Sequence, residues 1–232
     1  MFLLAVLISC PVIAVVLLLR IAVVLKQIQR AEKIGPGAST VKRTRPISTV
    51  VVLGSGGHTT EMLQLLQSLN HQQYKPLTFI VARTDTTSLP RVTAMKVRKA
   101  DAIHFIPRSR EVGQSYASSI LTTIWSLIYS LGLVLWIRPG LLLCNGPGTC
   151  LPIAIWTFLG RILGLWEGKI VFCESFCRVK TLSLTGKLLY PIVDLFVVHW
   201  EPLQATFPRS HLVSTFVPRQ TSKTGSNANI DS

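Results

Sequence analysis

The run from Ile47 to Leu53 (ISTVVVL) passes without a break into Gly54-Ser55-Gly56-Gly57-His58-Thr59-Thr60-Glu61, and few folds accommodate both halves of that junction. A continuous β-branched run lacks the apolar–polar alternation of a half-exposed strand, so it predicts a strand buried on both faces. Met62, Leu63, Leu65, Leu66 and Leu69 then recur at helical spacing. Further strand-like runs lie at Leu77 to Ala82, Ala102 to Ile106, Leu141 to Cys144, Ile170 to Cys173 and Leu195 to His199, separated by helix-compatible stretches. This alternation predicts an α/β chain with a Rossmann-like, doubly wound parallel sheet. Loops at the carboxyl ends of such strands form the binding crevice.

The glycine turn is the first candidate site. Glycines allow the backbone to approach a ligand closely, and free amides at the following helix N-terminus suit a phosphate. The plainer alternative is a tight turn capped by Thr59 or Thr60, with Glu61 near the positive end of the helix dipole. A dinucleotide fingerprint would need glycine at Thr59 and an acid closing the second strand, where Arg83 precedes Asp85. A P-loop would need Gly-Lys-Ser/Thr, and Thr185-Gly186-Lys187-Leu188 does not supply it. His58 stands beside this turn with an ordinary pKa near ~6.5, suited to a general base; the other reading is a hydrogen-bonding loop histidine.

Two more loops follow strands. Asn145-Gly146-Pro147-Gly148-Thr149 precedes the helix-like stretch Pro152 to Leu163 and reads as a crevice loop or as a simple turn. Cys173-Glu174-Ser175-Phe176-Cys177-Arg178 follows the next strand. Its cysteine pair lacks a second ligand pair at metal spacing, and no Asp-x-Asp occurs, so no metal site is expected. Glu174 and Arg178 read either as crevice groups or as a buried ion pair.

A chain of 232 residues allows one domain plus an anchor. Its 49% hydrophobic and 15% charged residues point to membrane contact. Phe2 to Leu19 carries no charge over 18 residues, about 27 Å of helix at ~1.5 Å per residue. No positive residue precedes this run and no small-x-small site follows it, so it reads as an anchor rather than a cleaved signal. The expected organisation is a transmembrane anchor over residues 2–25, a basic linker over 26–46, an α/β domain over 47–217 and a disordered tail over 218–232. Arg20, Lys26, Arg30, Lys33, Lys42, Arg43 and Arg45 face only Glu32 in the first 46 residues, which places the body on the cytoplasmic side. Cys10, Cys144, Cys150, Cys173 and Cys177 are an odd set, and no Asn-x-Ser/Thr sequon occurs; both fit a reducing compartment. Lys and Arg total 24 against 10 Asp and Glu, which favours an acidic partner such as anionic lipid or a phosphorylated substrate. No nucleic-acid-binding motif accompanies the charge, so nucleic acid is not expected. Ile120 to Ile137 is a second uncharged run, open to three readings: a second span, a buried helix, or a helix with Trp125, Tyr129 and Trp136 in the bilayer surface.

Behind an N-terminal anchor, GSGGHTTE, IPRSREVGQS (Ile106 to Ser115), CNGPGTC (Cys144 to Cys150) and CESFCRVKTLSLTGK (Cys173 to Lys187) together resemble one family, over roughly residues 47–217. It is the asparagine-linked glycosylation family of membrane subunits of the dolichol-linked UDP-N-acetylglucosamine transferase. More remotely, the loops are similar to the acceptor-binding half of the bacterial peptidoglycan N-acetylglucosaminyltransferase. The resemblance implies half of a GT-B glycosyltransferase of the inverting kind, with no cofactor of its own. A separate soluble subunit would bind UDP-GlcNAc, and the pair would add the second GlcNAc to GlcNAc-pyrophosphate-dolichol at the endoplasmic reticulum membrane. Carried onto this sequence, acceptor pyrophosphate binding falls on Gly54, Ser55, Gly56, Gly57 and Thr59, and on Asn145, Gly146, Gly148 and Thr149. His58 would deprotonate the acceptor 4-hydroxyl, and Glu174 would support acceptor or sheet-end geometry. Gly140 departs from the acidic residue common there in the family. A tether-only protein, with its glycine loops kept as structure, is the competing expectation.

Overall fold

The computed structural model describes residues 2–34, 45–94, 100–110 and 113–213; residues 35–44, most of the second half of the expected basic linker, and the expected tail lie outside the described residues. Helix α1 (Phe2–Ile34) leads into β1 (Thr49–Leu53), α2 (Gly57–Ser68), β2 (Leu77–Ala82), α3 (Ser88–Ala94) and β3 (Ala102–Ile106). The chain continues through α4 (Tyr116–Ile137), β4 (Leu141–Asn145), α5 (Cys150–Ile162), β5 (Lys169–Cys173), α6 (Leu184–Leu189), β6 (Leu195–Val198), α7 (Glu201–Thr206) and β7 (Ser210–Leu212). The strands form one sheet in the order β3-β2-β1-β4-β5-β6-β7, and every pairing is parallel. This is the Rossmann-like sheet expected from the sequence, with one unforeseen edge strand, β7.

The order reverses at β1. Thr49 pairs with Leu77 on one side and with Leu141 on the other, so the chain winds outward in one direction and then in the opposite one. The carboxyl ends of β1 and β4 therefore part at a topological switch point, where open α/β sheets hold their ligands.

Alternate residues of each strand serve the two faces. Val50, Val52, Leu142, Ile170, Phe172 and Phe196 pack under α4, α5 and α6 with Ile153, Ala154 and Leu189. Val51, Leu53, Phe79, Val81, Leu141 and Leu143 pack under α2 and α3 with Met62, Leu63, Leu66 and Val92. Burying each large apolar side chain stabilises the fold by roughly 1.5–3 kcal/mol. Gly140 meets a tight approach at the base of β4: a β-carbon there would lie 2.8 Å from Ile47 Cγ1 and 3.2 Å from the Ser48 carbonyl. An acidic side chain would not fit without moving β1.

Helix α1 runs past residue 25 to Ile34, because Lys26, Gln27, Gln29, Arg30 and Ala31 are good helix formers. Within it, Pro11–Ala31 is long and apolar enough to cross a membrane. Its inner end docks on α5. Val24 and Ile28 pack on Ile162, and Arg20 donates from Nε to the Ile162 carbonyl at 3.1 Å and from Nη2 to the Arg161 carbonyl at 2.9 Å. A cation satisfying the last carbonyls of α5 is the favourable end for its dipole.

Candidate functional site

At the end of β1 the turn is fixed by contact with the second glycine loop. A β-carbon on Gly54 would lie 2.6 Å from Pro147 Cγ. Gly56 has φ 69° and ψ −129°, a conformation open essentially to glycine alone. Helix α2 begins at Gly57 with no side-chain cap, so its first amides are left to whatever occupies the crevice. Thr59 is fully buried; its hydroxyl bonds the Gly54 carbonyl and lies 2.6 Å from Ser88 Oγ. Asp85 braces this inner side by accepting from Thr87 N at 2.9 Å and Ser88 N at 3.1 Å. Thr59 thus holds the turn shut from within, and its backbone amide is the part that the helix end can offer to a ligand.

The carboxyl end of β4 delivers Asn145, which is buried. Its Nδ2 donates to Glu61 Oε2 at 3.0 Å, so its Oδ1 faces His58 Nδ1, 2.8 Å away. An amide oxygen can only accept, so His58 Nδ1 carries the hydrogen and donates. The lone pair of the neutral ring therefore resides on Nε2, the nitrogen left for chemistry. The Glu61 carboxylate, 3.7 Å from Nδ1, makes an ion pair rather than a hydrogen bond when the ring is charged. It is held in turn by Ser175 Oγ at 3.0 Å and Phe176 N at 3.1 Å.

These neighbours set the charge of the pair. The Glu61 carboxylate raises the His58 pKa above its ordinary 6.5; partial burial opposes this, and the Asn145 bond adds to the rise. Burial pushes the Glu61 carboxyl up, but the interactions from His58, Asn145 and Ser175 outweigh it and hold Glu61 below the usual carboxylate value.

Gly146 completes the arrangement. It has φ 57°, and a β-carbon would lie 2.4 Å from His58 Cε1 and 2.7 Å from Nδ1. The imidazole occupies the space that a side chain on this glycine would need. Replacing Gly146 by Ala is expected to expel the ring and to lower any His58-dependent turnover about 10²-fold or more, since a displacement near 1 Å has that cost. A steady-state rate within twofold of the parent would show that the ring position is immaterial.

Two adjoining cavities open here. One, about 370 Å³, is walled by Gly54, Ser55, Arg108, Arg110, Gly148 and Thr149. The other, about 360 Å³, contains His58, Glu61, Glu174, Ser175 and Cys177. Gly146, Arg178 and Ser183 border both. The first has the chemistry for an anion: glycine-loop backbone and three guanidinium groups, which match phosphate oxygens in a fork. A third cavity, about 440 Å³, reaches Glu61 and Asn145 from behind along Leu65, Leu143, Val171 and Val197, and its walls are chiefly apolar.

The structure thus gathers Gly54, Ser55, Gly56, Gly57, His58, Asn145, Gly146, Gly148 and Thr149 at one place. Glu174 is wholly buried, accepting from Ser175 N at 3.0 Å and Ser183 N at 2.8 Å, which folds the segment from Glu174 to Ser183 back over the cavity. It forms no ion pair with Arg178, which is exposed. Sequence reasoning did not single out Arg108, Arg110 or Glu61 as site residues. The signals were Arg-Ser-Arg placed directly after β3 and a His-x-x-Glu step on one face of α2.

A model of the Alg14-like oligosaccharide biosynthesis proteins matches residues 49–216. The chain belongs to the Alg14 family. Among curated Alg14 relatives, the UDP-N-acetylglucosamine transferase subunit ALG14 of Homo sapiens is 42% identical over 208 residues, covering 85% of this chain and 91% of that protein. The subunits so named in Candida albicans and Schizosaccharomyces pombe are 44% and 37% identical, covering 68% and 78% of this chain and 73% and 89% of theirs. Among solved structures, a putative UDP-N-acetylglucosamine 2-epimerase from Listeria monocytogenes superposes at a TM-score of 0.54 with 14% identity, covering 71% of this chain. MurG of Acinetobacter baumannii superposes at 0.48 with 12% identity, covering 66%. This Alg14 chain spans about two fifths of those two proteins, 42% and 41% respectively. At that identity the epimerase match speaks to the fold alone: a Rossmann-like domain makes up most of this chain.

Proposed function

We propose that this protein is the membrane-held, acceptor-binding subunit of a UDP-N-acetylglucosamine transferase that extends a lipid-linked GlcNAc pyrophosphate. The glycine turns, the first amides of α2 and the arginines of the first cavity hold the diphosphate. The first sugar then lies toward His58, whose Nε2 removes the proton from the attacking 4-hydroxyl. A separate soluble subunit brings UDP-GlcNAc to the open side of the crevice. The acceptor is dolichol-linked, and the complex works at the cytoplasmic face of the endoplasmic reticulum, held by the span in α1. The observation that carries this reading is the Glu61–Asn145–His58 chain, which fixes one tautomer at a switch point lined by phosphate-binding groups. The names of the curated relatives, each a transferase subunit, support it.

A base must be unprotonated to act, so kcat/KM falls as pH drops through the raised pKa of His58. Glu61→Gln removes the carboxylate that raises that pKa. The acid limb of the profile is expected to move to lower pH, because the negative charge that favours the protonated ring is gone. Structural damage alone would lower the rate at all pH values and leave the limb in place, and that result would refute the assignment. The tether-only reading predicts no histidine-dependent limb at all.

A further inference from the structure

We infer that the outer face of α4 lies in the surface of an anionic lipid bilayer, as a second membrane contact beside the span in α1. Leu121, Trp125, Ile128 and Trp136 are 74%, 60%, 60% and 72% exposed. They recur at spacings of four, three and eight residues, which keeps them on one side of the helix. These exposures exclude the wholly buried reading of this segment.

A second span is also disfavoured, because the opposite side of α4 is bonded to the α/β body. Thr122 and Thr123 donate to the Ser109 carbonyl at 2.7 and 3.0 Å, and Ser126 donates to Pro107 at 2.9 Å. Trp156 of α5 donates to the Leu127 carbonyl at 2.7 Å. Threading α4 through a bilayer would strip these bonds and leave buried polar groups unpaired. Lying in the surface costs none of them.

Three observations point to lipid as the occupant. The exposed face is rich in tryptophan, with Tyr129 at its edge under the Arg83 guanidinium, 4.9 Å from the ring centre; such residues favour the headgroup boundary. Arg138 closes the helix in an exposed position, and from Val112 to Trp166 the chain has no acidic residue, so the margin complements anionic headgroups. Helices α1 and α4 both pack against α5, which keeps the α4 face close to the membrane that α1 enters. The inner side of α4 also supplies Ser119 and Thr123 to the arginine-lined cavity, so a bilayer on the outer side brings that cavity to the lipid surface.

The full chain offers a clean optical test, because α1 contains no tryptophan. It would be reconstituted into phosphatidylcholine vesicles, with and without phosphatidylserine, carrying brominated acyl chains that quench nearby indoles. The difference between the parent and a Trp125→Phe/Trp136→Phe variant isolates those two side chains. Their emission is expected to fall by about half or more in anionic vesicles, and less in neutral ones or at high salt. A Leu121→Glu/Ile128→Glu variant should lose most of that quenching while keeping the thermal midpoint of the parent. Should the acidic variant fail to fold, the parent-minus-phenylalanine difference still decides. Unquenched emission in every vesicle overturns the inference. So does a face shielded from acrylamide only after a soluble partner protein is added, since that would make it a protein interface.

Discussion

Replacing His58 by alanine is expected to lower sugar transfer by the proposed two-subunit enzyme about 10²- to 10⁴-fold, the usual contribution of a positioned general base. The variant should still fold and assemble. The His58 ring rests on Gly146 at the crevice wall and is about a third exposed, so its removal opens space at a wet site instead of a core cavity. KM for the lipid-linked acceptor should change little, because in the proposed function the diphosphate contacts come from the glycine turns and arginines and not from His58. A drop confined to KM would assign His58 to binding, and unchanged turnover in an intact complex would favour a tether whose loops are structural.

Replacing Asp194 by alanine is expected to be the most destabilising single change in the body of the fold. Arg161, 4% exposed on α5, donates from Nη1 to both Asp194 oxygens at 2.9 Å. The same carboxylate accepts from the Ile170 amide at 3.0 Å and from Lys169 Nζ at 3.1 Å. Arg161 Nη2 in turn reaches Gln27 of α1 at 2.9 Å, so the pair couples α5, β5, the start of β6 and the anchor helix. Removing one partner leaves a buried guanidinium without its counter-charge, which costs about 3–5 kcal/mol. For a chain of this size that corresponds to a fall in Tm of roughly 6–20 °C. Replacing both groups by apolar residues, Arg161→Met with Asp194→Leu, should cost less than Asp194→Ala alone, because no buried charge is left uncompensated; Lys169, 40% exposed, keeps its contact with water. Thermal unfolding of the three proteins in one detergent checks this order, and an Asp194→Ala midpoint within 2 °C of the parent would remove the pair from the account.

The sheet was legible because parallel strands buried on both faces are written as near-continuous apolar runs, as in β1, β2 and β4, and the half-exposed edge strand β3 still showed as a short run rich in Ile and Phe. Strand β7, Ser210–Leu212, was not: three residues, one of them histidine, carry no periodicity. The glycine turns announced a crevice because only close approach or positive φ explains glycines such as Gly56 and Gly146. The division of labour inside the crevice was hidden. Asn145 reads from its loop as a phosphate ligand, yet both ends of its amide are bonded within the crevice, to His58 and Glu61, 87 and 84 residues away in sequence. Thr59 reads as an outward cap and instead turns in toward Ser88. Such choices depend on which side chains the switch point brings face to face, and local pattern does not encode that.

The most direct test follows the imidazole itself. In the full chain held in lipid nanodiscs with nitrogen-15 labelled histidine, His58 should show the Nδ1–H tautomer. Its ring signals should move when a short-lipid GlcNAc pyrophosphate is added without the soluble partner, and should stay put with UDP-GlcNAc alone. Saturable acceptor binding that leaves the His58 signals unmoved, or a response to the sugar nucleotide in its place, would contradict the assignment of this crevice to the acceptor.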